Sequence, residues 1–228
     1  MIPNRDLILP YAAPYFAYVL IASAFGDYTS IEINYLIRLI AVSLLILWAW
    51  KRYSPIKGPK SPFVSIVIGI MAGFLGLLIW VLLLTPFVEV KNSSPWSYYA
   101  FSLRLICAGL LVPVFEELLI RGFILRFAFQ WDTARKKAQK SPLQSVLDEK
   151  SVNDVAPGAW SSMAIVISTI AFTSGHHFAE WPAAIAFSLL MVFLWIIRKD
   201  LITCIVAHSI TNISLAFYVF MTGRWNLW

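Results

Sequence analysis

The chain has 228 residues, of which 60% are hydrophobic and only 13% are charged. A soluble globular domain is about 45–50% apolar and about 25% charged, so the composition excludes an ordinary soluble domain and indicates an integral membrane protein. The net charge of +6 comes from cations in a few short loops, without the basic, aromatic-rich patch expected of a nucleic-acid-binding protein. Cys107 and Cys204 both lie in apolar segments, so no disulfide framework is expected.

Apolar segments long enough to cross a bilayer recur along the whole chain. A spanning helix needs about 20 apolar residues, and isolated strands cannot satisfy their backbone in lipid. We therefore predict a single all-α membrane domain over residues 1–228, with about seven transmembrane helices and a range of six to eight. The predicted spans are Leu7–Gly26, Ile33–Trp50, Pro62–Val88, Tyr98–Gln130, Ala159–Phe178, Pro182–Ile197 and Leu201–Thr222.

Two features between and within these segments bear on packing. The longest polar stretch, Trp131–Gly158, is predicted to be a solvated loop that carries a short surface helix. The third segment contains Gly69-x-x-x-Gly73, a spacing that lets two membrane helices approach closely.

The distribution of lysine and arginine predicts the orientation. If the N-terminus is cytoplasmic, the outer loops hold only Lys91 and Arg224, and three further arginines lie within spans. Because cytoplasmic loops are enriched in these residues, we predict a multi-pass membrane protein with a cytoplasmic N-terminus. The thirteen inner cations are Arg5, Lys51, Arg52, Lys57, Lys60, Arg126, Arg135, Lys136, Lys137, Lys140, Lys150, Arg198 and Lys199.

Three charged residues lie inside the fourth apolar segment. Glu116 and Glu117 follow a long apolar run, and each charge at a helix centre costs about 2.5–3.5 kcal/mol. Arg121 is four residues after Glu117, on the same helical face, and can hold it ionised. Glu116 points about 100° away and is free for chemistry. The alternative is that all three charges lie among headgroups at a helix end, but the apolar run Gly122–Phe129 argues against it.

Two histidines lie in later membrane segments. His176 ends the fifth segment, one turn after Phe172, which can wall a site; a lone histidine there is also compatible with an interfacial or capped residue. His208 and Asn212 share a face of the seventh segment, where Asn212 can orient His208, offer its own amide, or simply bond another helix. Cys204, one turn before His208, leaves a Cys–His nucleophile as a further alternative.

Together these residues form the parts of a hydrolytic site on three membrane helices. A partly desolvated glutamate can take a proton from water, and a histidine can help to place that water. A histidine and an asparagine can donate hydrogen bonds to the oxyanion of a tetrahedral intermediate. The low dielectric of the membrane strengthens each of these contacts.

Three ordered motifs resemble those of the CAAX-protease and bacteriocin-processing family of membrane proteins. They are E-E-x-x-x-R at residues 116–121, F-x-x-x-H at residues 172–176 and H-x-x-x-N at residues 208–212. The resemblance covers roughly residues 100–220, which would hold the catalytic core. It implies an all-helical membrane fold and a glutamate-dependent endopeptidase without a cofactor.

The resemblance also implies roles for individual residues. By this analogy Glu116 is the general base, His176 helps to activate the water, and Phe172 contacts the substrate. His208 and Asn212 form the oxyanion hole, and Glu117 and Arg121 support the site. The implied substrate is a membrane-anchored protein or peptide, cut near its C-terminus.

The sequence departs from the family pattern in two ways. Family members commonly have eight spans whereas seven are predicted here, and the loop at residues 131–158 is long. Both leave the prenylated substrate of the eukaryotic and archaeal members open. The short chain and its proline-rich start resemble a bacterial subgroup that is associated with exosortase and PEP-CTERM sorting.

Two other functions and one geometric problem remain at this point. Glu116, His176 and His208 could instead bind Zn²⁺ with one open position, or the polar cavity could serve a non-enzymatic scaffold, immunity protein or transporter.

At 1.5 Å per residue, His176 would lie ~24 Å along its helix from the inner side and His208 ~10 Å along its own. These depths meet only through tilt, a break near Gly175 or a shorter fifth helix.

Overall fold

The computed structural model describes residues 1–88 and 96–227, and every regular element among them is helical. The prediction of an all-α fold is therefore confirmed, while Lys91 lies outside the described residues. Since α4 to α6 are joined without a break, the described chain has eight helical units. The helices are α1 (Asn4–Phe25), α2 (Ile31–Ala49), α3 (Pro62–Leu84), α4 (Tyr98–Ile106), α5 (Val112–Glu117), α6 (Leu125–Lys136), α7 (Pro142–Glu149), α8 (Ser162–Thr173), α9 (Trp181–Arg198) and α10 (Leu201–Thr222).

Helices α4, α5 and α6 form one continuous run that is widened twice. π-Helical segments at Cys107–Leu111 and Leu118–Ile124 separate the three α-helical parts. Pro113, at the start of α5, has no backbone N–H to donate, which weakens the regular hydrogen-bond ladder at that point. π-Helical turns inside α-helices occur frequently at functional sites, and these two flank the paired glutamates.

The protein is a multi-pass integral membrane protein. Five helical stretches are long and apolar enough to cross a membrane. The predicted fourth span is the interrupted run from α4 to α6, and the predicted fifth is α8, whose 12 residues fall short of the about 17 that a span needs. The five stretches are Asn4–Phe25, Ile31–Arg52, Pro62–Phe87, Phe178–Arg198 and Leu201–Thr222.

Helix α8 is shorter than the predicted segment Ala159–Phe178. It begins where Ser161 Oγ accepts a hydrogen bond from the Ala164 N–H (3.3 Å), and it ends at Thr173. Two residues later, a Cβ on Gly175 would lie 2.4 Å from the hydroxyl oxygen of Tyr15 on α1. Glycine at this turn leaves room for the Tyr15 hydroxyl, and hydropathy alone does not register such a contact.

Glycines bring α3 directly against α10. A Cβ on Gly73 would lie 2.5 Å from Ile210 Cβ, and one on Gly76 would lie 2.3 Å from Thr211 Oγ1. The Thr211 hydroxyl donates to the Gly73 carbonyl oxygen at 2.9 Å. The predicted close helix approach is confirmed, and it fixes the part of α10 that carries His208.

The long polar stretch is anchored to the bundle, so the prediction of a solvated loop is wrong in part. Its predicted short helix is present as α7. Asn4 Nδ2 donates to Val146 O and to Gln130 Oε1, both at 2.8 Å, and Asn4 Oδ1 accepts from the Val152 N–H at 2.6 Å. This buried amide holds the start of α1, the end of α6 and the loop together, because each of its hydrogen bonds reaches a different segment.

Further hydrogen bonds close the same end of the molecule. Ser65 Oγ donates to Asp200 Oδ2 at 2.6 Å, and Arg198 Nη2 donates to Ser65 Oγ at 2.9 Å. Tyr11 Oη donates to Asn153 Oδ1 at 2.9 Å. We call this end the basic face, which comprises residues 1–6, 50–61, 126–161 and 198–201. It carries all thirteen cations that are predicted to be cytoplasmic.

Candidate active site

The paired glutamates lie in α5, between the two π-helical segments. The Glu117 side chain is wholly buried, whereas the Glu116 side chain keeps 15% of its surface exposed. Adjacent residues on a helix point about 100° apart. One carboxylate therefore enters the protein core and the other faces a cavity.

Buried polar groups hold Glu117 in place. Arg121 Nη1 lies 3.3 Å from Glu117 Oε1, as their i,i+4 spacing predicts. Arg121 Nη2 donates to both the carbonyl oxygen and the hydroxyl of Ser188 on α9, each at 3.0 Å. Ser188 Oγ in turn lies 3.4 Å from Thr169 Oγ1 on α8. Because Arg121 is buried with its carboxylate partner, loss of either would leave an uncompensated charge.

His208 lies between the two carboxylates. Its Nδ1 lies 2.9 Å from Glu117 Oε1, and its Nε2 lies 3.9 Å from Glu116 Oε2. A carboxylate oxygen that is ionised can only accept, so Nδ1 is the proton donor to Glu117. The ring packs edge-on against Phe172 and Phe187, with centroid distances of 6.1 and 5.2 Å. His208 thus connects the buried acid to the cavity acid.

His176 follows the end of α8 and reaches the same cavity. Its Nδ1 donates to the Phe172 carbonyl oxygen at 3.0 Å, which leaves Nε2 as the acceptor of the neutral ring. The ring packs on Phe172 and Trp80, with centroid distances of 4.7 and 5.5 Å. The shorter α8 reduces the predicted mismatch in depth, and His176 and His208 line the same cavity.

Asn212 lies one turn after His208 on α10. Its Nδ2 donates to the Ala108 carbonyl oxygen at 2.7 Å, in the first π-helical segment. Of the alternatives that the sequence leaves open for Asn212, the structure shows the hydrogen bond to another helix, because the amide is bonded to the glutamate-bearing helix. Cys204 donates to the Met191 carbonyl oxygen at 3.5 Å and is fully buried, which gives no support to a Cys–His nucleophile.

These side chains surround one cavity of about 210 Å³. Of the predicted site residues, Glu116, Phe172, His176, His208 and Asn212 line it, while Glu117 and Arg121 lie buried behind it. The complete lining is Trp80, Arg104, Val112, Glu116, Phe172, His176, Glu180, Phe187, His208, Thr211, Asn212, Leu215 and Leu227.

The arrangement does not favour the zinc alternative. Within residues 1–88 and 96–227, no three His, Cys, Asp or Glu side chains are grouped so as to hold one metal ion. Glu116, His176 and His208 share a cavity without forming such a group.

Sequence reasoning missed several supporting residues. Ser188 and Thr169 are small hydroxyl residues in apolar helices, and such residues often bond across membrane helices, which is the one signal that could have found them. Trp80 and Phe187 wall the cavity but look like ordinary apolar residues of a span. Arg104 lies over the Trp96 ring, 4.4 Å from its centroid, and lines the cavity three turns before Glu116.

Comparison with known proteins places these motifs in a family. The sequence model described as "Type II CAAX prenyl endopeptidase Rce1-like" matches residues 98–214, which is more than half of the chain and includes every predicted site residue. Searches of curated proteins and of solved structures return no match. The chain therefore belongs to the Rce1-like family of type II CAAX prenyl endopeptidases, which makes it an intramembrane protease.

Proposed function

We propose that the protein cleaves a peptide bond by general-base catalysis, with Glu116 as the base. The observation that carries the proposal is the division of the glutamate pair. Arg121 and His208 bond Glu117 behind the cavity, whereas Glu116 faces the cavity and, within residues 1–88 and 96–227, forms no salt bridge with an arginine or lysine. A partly desolvated carboxylate beside polar groups can accept a proton from a bound water.

In this mechanism the water lies between Glu116 and His176. Nε2 of neutral His176 accepts a hydrogen bond from the water, while Glu116 removes a proton from it. The hydroxide attacks the carbonyl carbon of the substrate, and a tetrahedral intermediate forms. Glu116 then returns the proton to the leaving amine as the C–N bond breaks, so that one peptide bond and one water give a carboxylic acid and an amine.

His208 and Asn212 stabilise the oxyanion of this intermediate. The amide of Asn212 has two hydrogens and uses one on Ala108 O, so the second can donate to the substrate. His208 donates from Nε2 in its doubly protonated form, with the carboxylates of Glu116 and Glu117 on either side of the ring. Preorganised donors of this kind are each worth about 10²–10³-fold in rate.

The substrate of this reaction is a membrane-associated protein or peptide that is cut near its C-terminus. The family description points to a prenylated C-terminus as the first substrate to test. Membership of the subgroup associated with exosortase and PEP-CTERM sorting, in a bacterial inner membrane, is the alternative. A protein with seven crossings and a cytoplasmic N-terminus fits the alternation of the basic loops.

A conservative substitution at the base tests the mechanism. Purified wild-type protein and Glu116→Gln in proteoliposomes are compared on peptides that end in prenylated and unprenylated sequences. The Gln variant cannot accept the proton, and we expect its rate to fall by about 10²–10⁴-fold. Glu149→Gln, on the exposed face of α7, is the matched control and keeps full activity. Full activity of Glu116→Gln would refute the mechanism.

A chelator experiment separates the glutamate mechanism from the zinc alternative. Dialysis of the proteoliposomes against a strong chelator is expected to leave the cleavage rate unchanged, since the site residues are assigned to hydrogen bonding and proton transfer. Loss of activity that returns with added Zn²⁺ would instead assign Glu116, His176 and His208 to a metal.

A further inference from the structure

Arg104 gives one part of the catalytic cavity a positive charge. Among the cavity-lining residues that the structure describes, it is the one permanent cation. Arg104 belongs to α4 and precedes Glu116 in the continuous run α4 to α6, at a separation of at most about 18 Å along the helix axis. The cavity therefore carries a carboxylate at one position and a guanidinium at another.

An aromatic ring holds the Arg104 guanidinium. Its central carbon lies 4.4 Å from the centroid of the Trp96 ring, which is a cation–π distance. Stacking uses the flat face of the guanidinium, whereas its N–H groups point outward in the plane of the group. An arginine that is stacked in this way is suited to donate two parallel hydrogen bonds to a carboxylate.

A second buried arginine adds to the positive charge beside Trp96. The Arg38 guanidinium lies 3.9 Å from the centroid of the Tyr35 ring, and the Tyr35 ring packs on Trp96 with centroids 6.1 Å apart. Arg38 is 9% exposed, and within residues 1–88 and 96–227 its Nε has no hydrogen-bond partner and its guanidinium forms no salt bridge. A buried cation without an acidic partner is costly in a membrane. An anion bound nearby would lower that cost.

One acidic side chain faces these two cations. Glu180 lines the same cavity, and both Glu180 and Arg38 lie within electrostatic range of Arg104. Glu180 Oε2 accepts a hydrogen bond from the His177 N–H at 2.9 Å, which fixes the carboxylate at the turn before α9. Among the described residues, two arginines therefore outnumber one glutamate in this part of the site. The remaining positive charge favours an anionic group on the substrate.

The packing beside Arg104 favours a peptide that ends there over one that continues. Phe101 lies one turn before Arg104 on α4, and Trp225 packs on it with ring centroids 6.1 Å apart. Leu227 lines the cavity, and only 3% of its surface is exposed. These side chains occupy space next to the guanidinium, so a bound peptide has little room to extend past it. The anion that every peptide carries at its end is the C-terminal carboxylate.

We propose that Arg104 binds the C-terminal carboxylate of the substrate, while Glu116 acts on a peptide bond a few residues before it. The proposal rests on the proposed function and specifies which part of the substrate is recognised. An extended chain advances about 3.3–3.6 Å per residue, so about five residues span the roughly 18 Å between the two positions. The enzyme then releases a peptide of about five residues or fewer, counted back from a free C-terminus.

Peptides that differ only in the terminal group test the proposal. Purified protein in detergent micelles is given a peptide with a free C-terminal carboxylate and the same peptide with a C-terminal amide. We expect the wild-type kcat/KM to be about 10–100-fold higher for the free acid, because hydrogen bonds between two charged groups are among the stronger ones.

Variants of Arg104 assign this preference to its side chain. Arg104→Gln is expected to cleave both peptides at the rate that the wild type shows on the amide, and Arg104→Lys should recover part of the preference through its charge. Arg135→Gln, on the basic face, is the matched control and keeps the full preference. Equal wild-type rates on the two peptides would overturn the proposal. An equal loss on both peptides in Arg104→Gln would also overturn it, since the arginine would then only support the fold.

Peptides with longer C-terminal segments test the distance. Alanines are added one at a time after the cleaved bond, and the products are identified by mass spectrometry. We expect the cleaved bond to move with the C-terminus, and cleavage of the original bond to fall once more than about five residues follow it. Efficient cleavage of the original bond with a segment twice that long would contradict recognition of the carboxylate.

A binding measurement separates this proposal from the catalytic mechanism. Glu116→Gln retains Arg104, and we expect it to bind a fluorescent free-acid peptide about 10–100-fold more tightly than the amide. Addition of Arg104→Gln to this variant should remove the difference. If the wild type cleaves neither peptide while this difference is present, the catalytic mechanism fails and the carboxylate site stands. If cleavage occurs but neither rate nor binding distinguishes the acid from the amide, the carboxylate site fails and the mechanism stands.

Discussion

Buried polar side chains in the basic-face half of the bundle bond to backbone and to one another, whereas several of those in the cavity half also face open space. Asn4, between α1, α6 and the long loop, makes three side-chain hydrogen bonds shorter than 3 Å. In the cavity half, Glu116 Oε2 lies 3.9 Å from His208 Nε2. Where the helices pack closely, polar side chains bond to neighbouring segments and hold them together. Where the helices leave a cavity, polar side chains remain available to bind a substrate.

The largest effect is expected where the two halves meet. Arg121→Met removes the buried cation and leaves Glu117 without its charged partner in the protein core. Breaking a buried pair in this way costs about 3–5 kcal/mol, so we expect poor insertion and a much lower temperature of unfolding in detergent. Arg121→Met combined with Glu117→Gln should recover part of that stability, since the unpaired charge is gone. If Arg121→Met is as stable as the wild type, then the ion pair of Arg121 and Glu117 does not stabilise the folded protein.

Asn212→Ala is expected to affect catalysis much more than stability. The variant loses a donor to the oxyanion and the bond to Ala108 O. Removal of one such donor costs about 10²–10³-fold in rate, with the KM largely unchanged because the interaction forms in the transition state. Steady-state kinetics in proteoliposomes measure both constants. A rise in KM with an unchanged kcat would instead assign Asn212 to substrate binding.

Asn4→Ala tests the hydrogen bonds in the basic-face half of the bundle. It leaves Val152 N–H and Val146 O without their partner, and a buried unsatisfied group costs about 1–3 kcal/mol. We expect a lower temperature of unfolding, with kcat and KM unchanged at a temperature where the variant is folded. A change in kcat would mean that the anchoring of the loop is coupled to the site.

The smallest effect is expected at the outer edge of the basic face. Hydrogen bonds from Lys136, and also from Arg135, lower the pKa of Asp132 from 3.8 to about 2. The carboxylate is therefore favoured in the folded state, and its stabilisation is present above pH 4 and is lost as the pH falls toward about 2. Asp132→Asn should reduce the temperature of unfolding at pH 7 less than Asn4→Ala does. The difference from wild type should shrink near pH 3.

Much of the fold was predictable because the lengths of the apolar segments and the positions of the charged residues restrict which segments can form membrane helices. The starts and ends of α3 and α10 fall within a few residues of the predicted segments. The end of α8 was not predictable, because hydropathy does not mark it and the neighbouring contact of Gly175 with Tyr15 joins residues that are remote in sequence. The anchoring of the long polar stretch by Asn4 was missed for the same reason.

The site residues could be proposed from sequence, but their partners could not. The spacing of Glu117 and Arg121 predicts their contact, since both lie on one helix. Ser188 carries no charge and no motif, so its two hydrogen bonds with Arg121 emerge only when α9 is packed against the run α4 to α6. Asn212 bonds with Ala108 rather than with His208, because the π-helical segment presents a carbonyl oxygen to α10.

The second π-helical segment, Leu118–Ile124, has a consequence for how this helix tolerates insertions and deletions. A π-helical turn holds one residue more than an α-helical turn. The extra residue rotates all following side chains by about 100° around the helix axis. With this rotation, the continuous run α4 to α6 directs Glu117 toward His208 and also directs Gln130 toward Asn4. Deleting a single apolar residue from the segment would restore a regular helix and put those two contacts out of register with each other.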